Sequence, residues 1–505
     1  MKVVFVHLDL GIGGAEMLVV NAAVAARRAG HDVVIYTSHH DEGRCFKETT
    51  GEGVLGGRIL VRGDWLPRHL VFGRFTALCA VARMLWLAAC VVTTEIAAGA
   101  RDNGGEAAGK DRRNEGNTAA ATVIFCDGVS APVPFLRLAG PVLFYCHFPD
   151  KLLCVRRGSL LKRAYRWPLD LLEEFTTGCA SSVAVNSKFT ARIFREAFPR
   201  LGRAFLPDAG RDADRMAGGH RDGTEAPLPR GHVGGKKVLR VLYPPTDVGV
   251  YAEREHNDSP SHQKMGPVVS LNRFERKKNL PLAVEAVAWA LQEMGAEEAS
   301  RKGLRLVVAG GYDERVAENV EHLSELRAAA ARRGVEDVIE FRTNIADDER
   351  AELLRTASCV LYTPSNEHFG IVPVEAMCCG APVVAVNSGK WLPTCGPLET
   401  VVHEGTGFLC SPTPEAFGSA VVRLARGPSL GVTMGERGRH RVKEKFSMES
   451  FSGAFEDSLR GLASSPSSSS STPPSLGVLG GVGVVLLVAC CVGSAVAMAG
   501  RYFLV

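Results

Sequence analysis

The sequence lacks several features that would assign it to a common protein class. Its 14 cysteines include no C-x-x-C pair, so neither a zinc site nor a disulfide framework is predicted, and reduced thiols in the cytosol fit best. Its 59 basic and 55 acidic side chains leave a net charge of only +4, an excess too small to predict a nucleic-acid partner. Because the first apolar run ends before Asp9, we expect no signal peptide.

The length and the order of the predicted elements indicate two α/β domains. A chain of 505 residues is longer than a single hydrophobic core supports, since such cores stop growing at about 250–300 residues. Buried strands alternate with helices after Lys2, and a second series of the same kind starts near residue 266. This alternation predicts parallel sheets with helices on their faces.

A glycine-rich turn follows the first predicted strand. Gly11, Gly13 and Gly14 would let the backbone approach a ligand closely at the start of a helix. The turn lacks the third glycine of G-x-G-x-x-G, so a nicotinamide dinucleotide site is poorly supported. A plain tight turn remains the alternative.

Two glutamates, Glu367 and Glu375, stand eight positions apart near the end of another predicted strand. We expect Glu367 in the loop after the strand and Glu375 in the first turn of a helix with Pro373 near its start. Ligands bind at the carboxyl ends of strands in such sheets, so the two carboxylates could hold the hydroxyls of a sugar and of a ribose. Alternatively, one glutamate is solvated and the other only favours a helix start.

Cations and a histidine also follow predicted strands. Arg273 and Lys278 come after the first strand of the second series, where they could clamp a diphosphate, or belong to a solvated basic loop. His147 ends a strand and precedes Phe-Pro-Asp, which makes it a better site candidate than an isolated histidine.

Several of these motifs together carry a family resemblance. The Glu-x7-Glu pair followed by MCCGAPVVAV, with HFPD and SSVAVNSKFTARIF, resembles the retaining family-four glycosyltransferases, and among them the dolichol-pathway α-1,3/1,6-mannosyltransferases. The resemblance covers Lys2 to Leu462, apart from two insertions and the segment 390–395, which separates Gly389 from GPLET. It implies an α/β fold of the GT-B type, with two Rossmann-like domains facing each other across a cleft.

The resemblance also implies a reaction. A retaining mannosyltransferase would move mannose from GDP-mannose to a dolichyl-diphosphate-linked mannosyl-chitobiose core, adding α-1,3 and α-1,6 mannoses in N-glycan precursor assembly. By this resemblance, Arg273 and Lys278 would bind the diphosphate, and Glu375 would bind the ribose. The donor mannose would be contacted by Glu367, His147 and the backbone around Phe369 and Gly370. Gly13 and Gly14 would face the donor phosphate and the acceptor. The alternatives are another GT-B glycosyltransferase that uses a different sugar nucleotide on a lipid acceptor, and a scaffold that has lost catalysis.

No cofactor and no metal are expected besides the donor substrate. The D-x-D at Asp212 and Asp214 resembles a metal motif, but it lies in a low-order insertion rather than after a strand. The expected partners are GDP-mannose, a dolichyl-diphosphate oligosaccharide, the endoplasmic reticulum membrane and other early dolichol-pathway mannosyltransferases, with no nucleic acid.

Five successive segments are predicted along the chain. The expected segments are an N-terminal acceptor domain (1–240) with insertions at 99–118 and 207–236, a nucleotide-sugar domain (266–445), a crossover helix (446–462), a linker (464–475) and an uncharged transmembrane tail (476–500). The apolar stretch 65–98 would lie on the membrane, with Arg74 and Arg83 reaching lipid phosphates, or form an ordinary core helix. The catalytic body would face the cytosol at the endoplasmic reticulum membrane.

Overall fold

A computed structural model of the chain describes two compact units. The described residues are 1–69, 75–104, 121–153, 160–202, 205–207, 237–251, 265–365, 367–387 and 396–464. The first unit comprises Met1–Asn186, Thr190–Leu242 and the residues from Ser452 onward, and the second comprises Ser187–Phe189 and Tyr243–Phe451.

The first unit is built on a parallel sheet. The strands described there are β1 (Lys2–Leu10), β2 (Asp32–His40), β3 (Ile59–Val61), β4 (Thr122–Asp127), β5 (Val142–Cys146), β6 (Ser182–Val185), β7 (Phe205–Pro207) and β8 (Lys237–Val241). Their order is β3-β2-β1-β4-β5-β6-β8-β7, and all pairs are parallel. The chain changes direction across the sheet between β1 and β4, which is where such folds place their ligands.

Helices cover this sheet. They are α1 (Gly14–Arg28), α2 (Thr76–Gly104), α3 (Val133–Leu136), α4 (Asp150–Leu153), α5 (Leu160–Gly178), α6 (Lys188–Ala197) and α7 (Pro199–Gly202). The central strands are continuous apolar runs because helices bury both faces of a parallel sheet. Phe455 of the last helix described, Met448–Ala463, completes this core by packing against Phe5 and Phe125, with ring centroids 6.3 and 5.7 Å away.

The second unit repeats the plan with fewer strands. These are β9 (Val268–Leu271), β10 (Leu306–Gly310), β11 (Ile339–Thr343), β12 (Cys359–Tyr362), β13 (Val383–Val386) and β14 (Gly407–Cys410). The order is β11-β10-β9-β12-β13-β14, again wholly parallel, so the direction changes between β9 and β12. The prediction of two parallel α/β sheets is therefore confirmed.

The second unit also contains helices, the first of which precedes β9. They are α8 (Val248–Tyr251), α9 (Pro281–Met294), α10 (Ala296–Lys302), α11 (Ala317–Arg333), α12 (Asp347–Thr356), α13 (Ile371–Cys378), α14 (Gly396–Thr400), α15 (Pro414–Arg426), α16 (Pro428–Lys445) and, crossing into the first unit, α17 (Met448–Ala463). Pro281 and Pro414 open their helices, where a missing N–H costs no internal hydrogen bond.

Helix α2 differs from its expected environment. Leu78, Met84 and Leu87 pack into the core of the first unit. Arg83 does not reach lipid phosphates: its side chain is only 2% exposed and forms an ion pair with Asp9. The role predicted for Arg83 at a membrane is wrong, because the carboxylate at the end of β1 compensates the guanidinium inside the fold.

By length and composition alone, residues Thr76–Ala97 of α2 could cross a membrane, and 44% of the apolar window is buried. The helix continues to Gly104, into the insertion expected at 99–118. Several predictions lie outside the described residues, namely those on Arg74, Asp212, Asp214, Gly389, the segment 390–395 and the tail 476–500.

Candidate active site

Lys278 and Glu367 meet beside the direction change of the second sheet. Lys278 ends the short 3₁₀ turn Arg276–Lys278 after β9, and Glu367 lies in the loop after β12. The Lys278 ammonium forms an ion pair with Oε1 of Glu367, and the lysine side chain is 12% exposed. The Thr363 hydroxyl donates to the Lys278 carbonyl at 2.7 Å, which ties the two loops together. The structure thus brings together two of the residues predicted from separate motifs.

Arg273 lies on the same turn region but is more open. Its guanidinium pairs with Glu275 at 2.8 Å, and its side chain is 61% exposed. Gly310 packs closely against this turn: a Cβ at position 310 would lie 2.0 Å from the carbonyl oxygen of Asn272, so a side chain does not fit there. The described contacts of Arg273 therefore do not join it to Glu367.

Glu375 is buried and already has protein partners. It lies in the second turn of α13, not in the first turn as predicted, because the helix starts at Ile371, two residues before Pro373. One carboxylate oxygen, Oε2, pairs with the Arg350 guanidinium of α12. Tyr251 of α8 also hydrogen-bonds to Glu375, and burial together with this carboxylate raises the pKa of the tyrosine well above its usual value. A ribose would have to bind beside these contacts.

Phe369 and Gly370, which directly precede α13, have different structural roles. Phe369 is buried and packs against Tyr243 and Phe446, with ring centroids 6.0 and 5.7 Å away, so only its backbone can face a ligand. Gly370 caps the helix with φ +79°, a left-handed conformation that favours glycine. The sharp turn directs the chain from the Glu367 loop into α13.

In the first unit, His147 belongs to a cluster at the ends of three strands. It directly follows β5, and its Nε2 lies 2.9 Å from Oδ2 of Asp127 at the end of β4. The other oxygen of Asp127 lies 2.7 Å from Nδ1 of His7 on β1. Both contacts lie at the direction change between β1 and β4.

Gly13 and Gly14 form the start of α1. Gly13 is the N-cap, and the Glu16 carboxylate folds back over it, 2.2 Å from where a Cβ would stand. Nothing lies within 4 Å of a Cβ added to Gly14. The fold itself therefore does not require glycine at position 14, which leaves room there for a ligand.

Comparison with known proteins defines the family. The glycosyl transferases group 1 profile matches residues 252–441. Alpha-1,3/1,6-mannosyltransferase ALG2 of Homo sapiens is 42% identical over 460 residues, covering 89% of this chain and 93% of that protein. The relative of the same name from Dictyostelium discoideum is 37% identical over 469 residues, covering 89% and 96%.

The chain belongs to the α-1,3/1,6-mannosyltransferase ALG2 family. The resemblance predicted from the motifs is thereby confirmed. Solved structures support the fold of this ALG2 family member. Anabaena Alr3699/HepE in complex with UDP superposes with a TM-score of 0.56 at 17% identity, covering 92% of this chain and 100% of that one. WaaG, a glycosyltransferase involved in lipopolysaccharide biosynthesis, gives 0.52 at 14%, covering 91% and 100%. At these identities the likeness shows the GT-B fold alone.

The motif analysis of this ALG2 family member missed four polar residues, three of which contact predicted site residues, while the fourth, His7, contacts Asp127. These are His7, Asp127, Arg350 and Tyr251. A signal existed for His7 and Asp127, because both stand near the carboxyl ends of predicted strands. Arg350 and Tyr251 belong to helices outside every motif, so only the fold connects them to Glu375.

Proposed function

We propose that this chain transfers mannose from GDP-mannose to a dolichyl-diphosphate-linked mannosyl-chitobiose in N-glycan precursor assembly. It adds two mannoses in succession, one through an α-1,3 linkage and one through an α-1,6 linkage. Membership of the ALG2 family supports the donor, the acceptor and the location at the endoplasmic reticulum membrane. The contact between Lys278 and Glu367 is the observation that carries the proposal to particular residues.

The proposed chemistry begins at the departing diphosphate. As the bond between mannose C1 and the phosphate oxygen breaks, negative charge grows on GDP. Lys278 and Arg273 are the cations placed to stabilise that charge. An ammonium has three donors, so Lys278 can hold Glu367 and a phosphate oxygen at once. Exclusion of water around Lys278 strengthens this interaction.

The sugar and the nucleotide need polar partners of other kinds. Glu367 is proposed to accept a mannose hydroxyl, with the backbone around Gly370 beside it, while Glu375 accepts from the ribose. His147 is proposed as a further contact to the donor mannose. The contacts with Arg350 and Tyr251 orient the Glu375 carboxylate as an acceptor.

We further propose retention of configuration. The acceptor hydroxyl attacks C1 from the face that the diphosphate leaves. A bond forms between the acceptor oxygen and C1, and the hydroxyl proton passes to the departing diphosphate oxygen. This balance needs no separate protein base, which fits a site whose first proposed roles are binding and charge stabilisation.

The test uses the purified full-length chain in detergent. Radiolabelled GDP-mannose and a chitobiosyl-diphosphate lipid bearing one mannose are the substrates, and UDP-glucose and UDP-N-acetylglucosamine are the competing donors. We expect two successive mannose additions, with α-1,3 and α-1,6 linkages assigned by linkage-specific mannosidases. Transfer from a UDP-sugar, or no transfer from GDP-mannose, would reject the proposal.

A further inference from the structure

The cluster of His7, Asp127 and His147 is organised around one buried carboxylate. The Asp127 side chain is 1% exposed, and each of its oxygens faces one imidazole, His7 at 2.7 Å and His147 at 2.9 Å. Burial raises the pKa of the Asp127 carboxyl, but the contacts with His7 and His147 outweigh this effect and hold the pKa well below its usual range. Asp127 therefore carries a negative charge that must be balanced inside the fold.

His7 supplies that balance. Its Nδ1 faces the Asp127 carboxylate at 2.7 Å, and its Nε2 faces the carbonyl oxygen of Asp9 at 3.0 Å. A neutral imidazole has a single N–H and would leave one of these acceptors unpaired, whereas the imidazolium satisfies both. Burial alone would lower the pKa of His7, but Asp127, Glu16 and the Asp9 carbonyl outweigh it and raise the pKa to about 9.

The neighbouring elements do not change this assignment. Glu16 of α1 adds negative charge near His7, while Arg83 of α2 is bound to the Asp9 carboxylate. Tyr145 and Cys126 stay neutral, because burial raises the pKa of each well above its usual value. The cluster thus holds one carboxylate and one imidazolium before His147 is considered.

His147 is the exposed end of the cluster. Its side chain is 25% exposed, and its ring lies 4.9 Å from the Tyr145 ring. Because Asp127 is ionised, Nε2 of His147 carries the proton that it donates. Within the described part of the chain, Nδ1 of His147 forms no hydrogen bond. A neutral ring in this orientation would present the Nδ1 lone pair to a hydroxyl donor.

We propose that Asp127 and His7 are positioning residues for His147. Asp127 fixes the tautomer of His147 by accepting from Nε2, and the charge of His7 cancels that of Asp127, so that the Nδ1 lone pair of His147 accepts a hydrogen bond from a sugar hydroxyl. This inference rests on the proposed function, since it assigns the tautomer with which His147 contacts the donor mannose.

The test measures kcat and KM for GDP-mannose across pH 5–9 with the full-length enzyme. In His7→Gln the Asp127 charge is no longer cancelled, so protonation of His147 is favoured. We expect the acid limb of kcat/KM to move to higher pH by about one unit or more. Adding Asp127→Asn to His7→Gln removes the carboxylate, and the limb should return toward the wild-type position. His322→Gln is the matched control, because His322 is a buried histidine paired with Glu325 elsewhere.

Asp127→Asn alone keeps the side-chain shape but cannot fix the tautomer of His147. We expect its kcat at pH 7 to fall by roughly 10- to 100-fold, with KM changed far less. An equal loss at every pH in His7→Gln, or wild-type kcat in Asp127→Asn, would overturn the inference. If His7→Gln does not fold, as judged by circular dichroism, the Asp127→Asn result alone decides. An inactive wild-type enzyme would instead reject the proposed function.

Discussion

At the scale of single residues, two neighbouring lysines have very different surroundings. Lys278 is 12% exposed and pairs with Glu367, whereas Lys277 is 65% exposed and pairs with Glu275 at 2.9 Å. Water screens the charge of Lys277, while Lys278 acts where water is largely excluded. These surroundings favour Lys278 over Lys277 for the proposed charge-stabilising role.

Lys278→Ala should lower turnover by roughly 10- to 1,000-fold, because one cation that stabilises the leaving diphosphate is lost. The same substitution at Lys277 is the matched control and should leave turnover nearly unchanged. Initial rates of mannose transfer at saturating GDP-mannose measure both. Near-normal turnover of a folded Lys278→Ala enzyme would remove this residue from the mechanism.

The charge on His7 also makes a prediction about stability. Its pKa in the folded chain, about 9, lies above the ordinary value of 6.5. The contribution of charged His7 to the free energy of unfolding is therefore fully present below pH 6.5 and is lost as the pH rises to 9. Its size is on the order of 1–3 kcal/mol. We expect the stability difference between wild type and His7→Gln, from urea unfolding, to shrink over this window. A constant difference would contradict a charged His7.

At the scale of elements, the start of α13 determines where Glu375 lies along the helix. Gly370 has φ +79°, and a Cβ there would lie 3.1 Å from the Tyr362 hydroxyl oxygen. This conformation begins the helix at Ile371 and so places Glu375 two positions further into the helix than the position of Pro373 had indicated.

Gly370→Ala should destabilise the chain by about 1–2 kcal/mol, the usual cost of a left-handed non-glycine residue. Gly453→Ala is the control: Gly453 lies within α17, and nothing lies within 4 Å of an added Cβ. This second change should raise stability by about 0.5–1 kcal/mol. Urea unfolding of both variants measures the contrast, and equal shifts would show that backbone conformation at Gly370 is unimportant.

At the scale of the whole molecule, the predicted location is the cytosolic face of the endoplasmic reticulum membrane. The ten cysteines within the described residues are all free, as expected for a reducing compartment. Their burial raises the pKa of several, including Cys126 and Cys359, so they stay protonated and unreactive.

Protease added to sealed endoplasmic reticulum vesicles should therefore digest the described body without detergent. Peptides that contain Glu367, followed by mass spectrometry, report on the proposed donor site, and a resident lumenal protein controls for vesicle integrity. Protection of these peptides until detergent is added would place the catalytic units in the lumen.

Deleting residues 465–505 should weaken membrane binding yet leave mannose transfer to a detergent-soluble acceptor.

The sequence by itself determined the two parallel α/β units and the family. Strand and helix periodicities are local properties, and the motifs around Glu367 and His147 are contiguous segments of the chain. Neither required knowledge of the fold. The same local reasoning placed Arg273 and Lys278 after one strand and Glu367 after another.

Tertiary structure alone decided which charges meet. Lys278 pairs with Glu367, 89 positions away, and Asp127 pairs with His7, 120 positions away, because parallel strands distant in sequence end side by side. Arg83 appeared to be a membrane residue because its helix is apolar, yet folding places the Asp9 carboxylate beside it. Electrostatic compensation depends on distance in space, and the hydrophobic pattern of a segment contains no information about a distant partner of opposite charge.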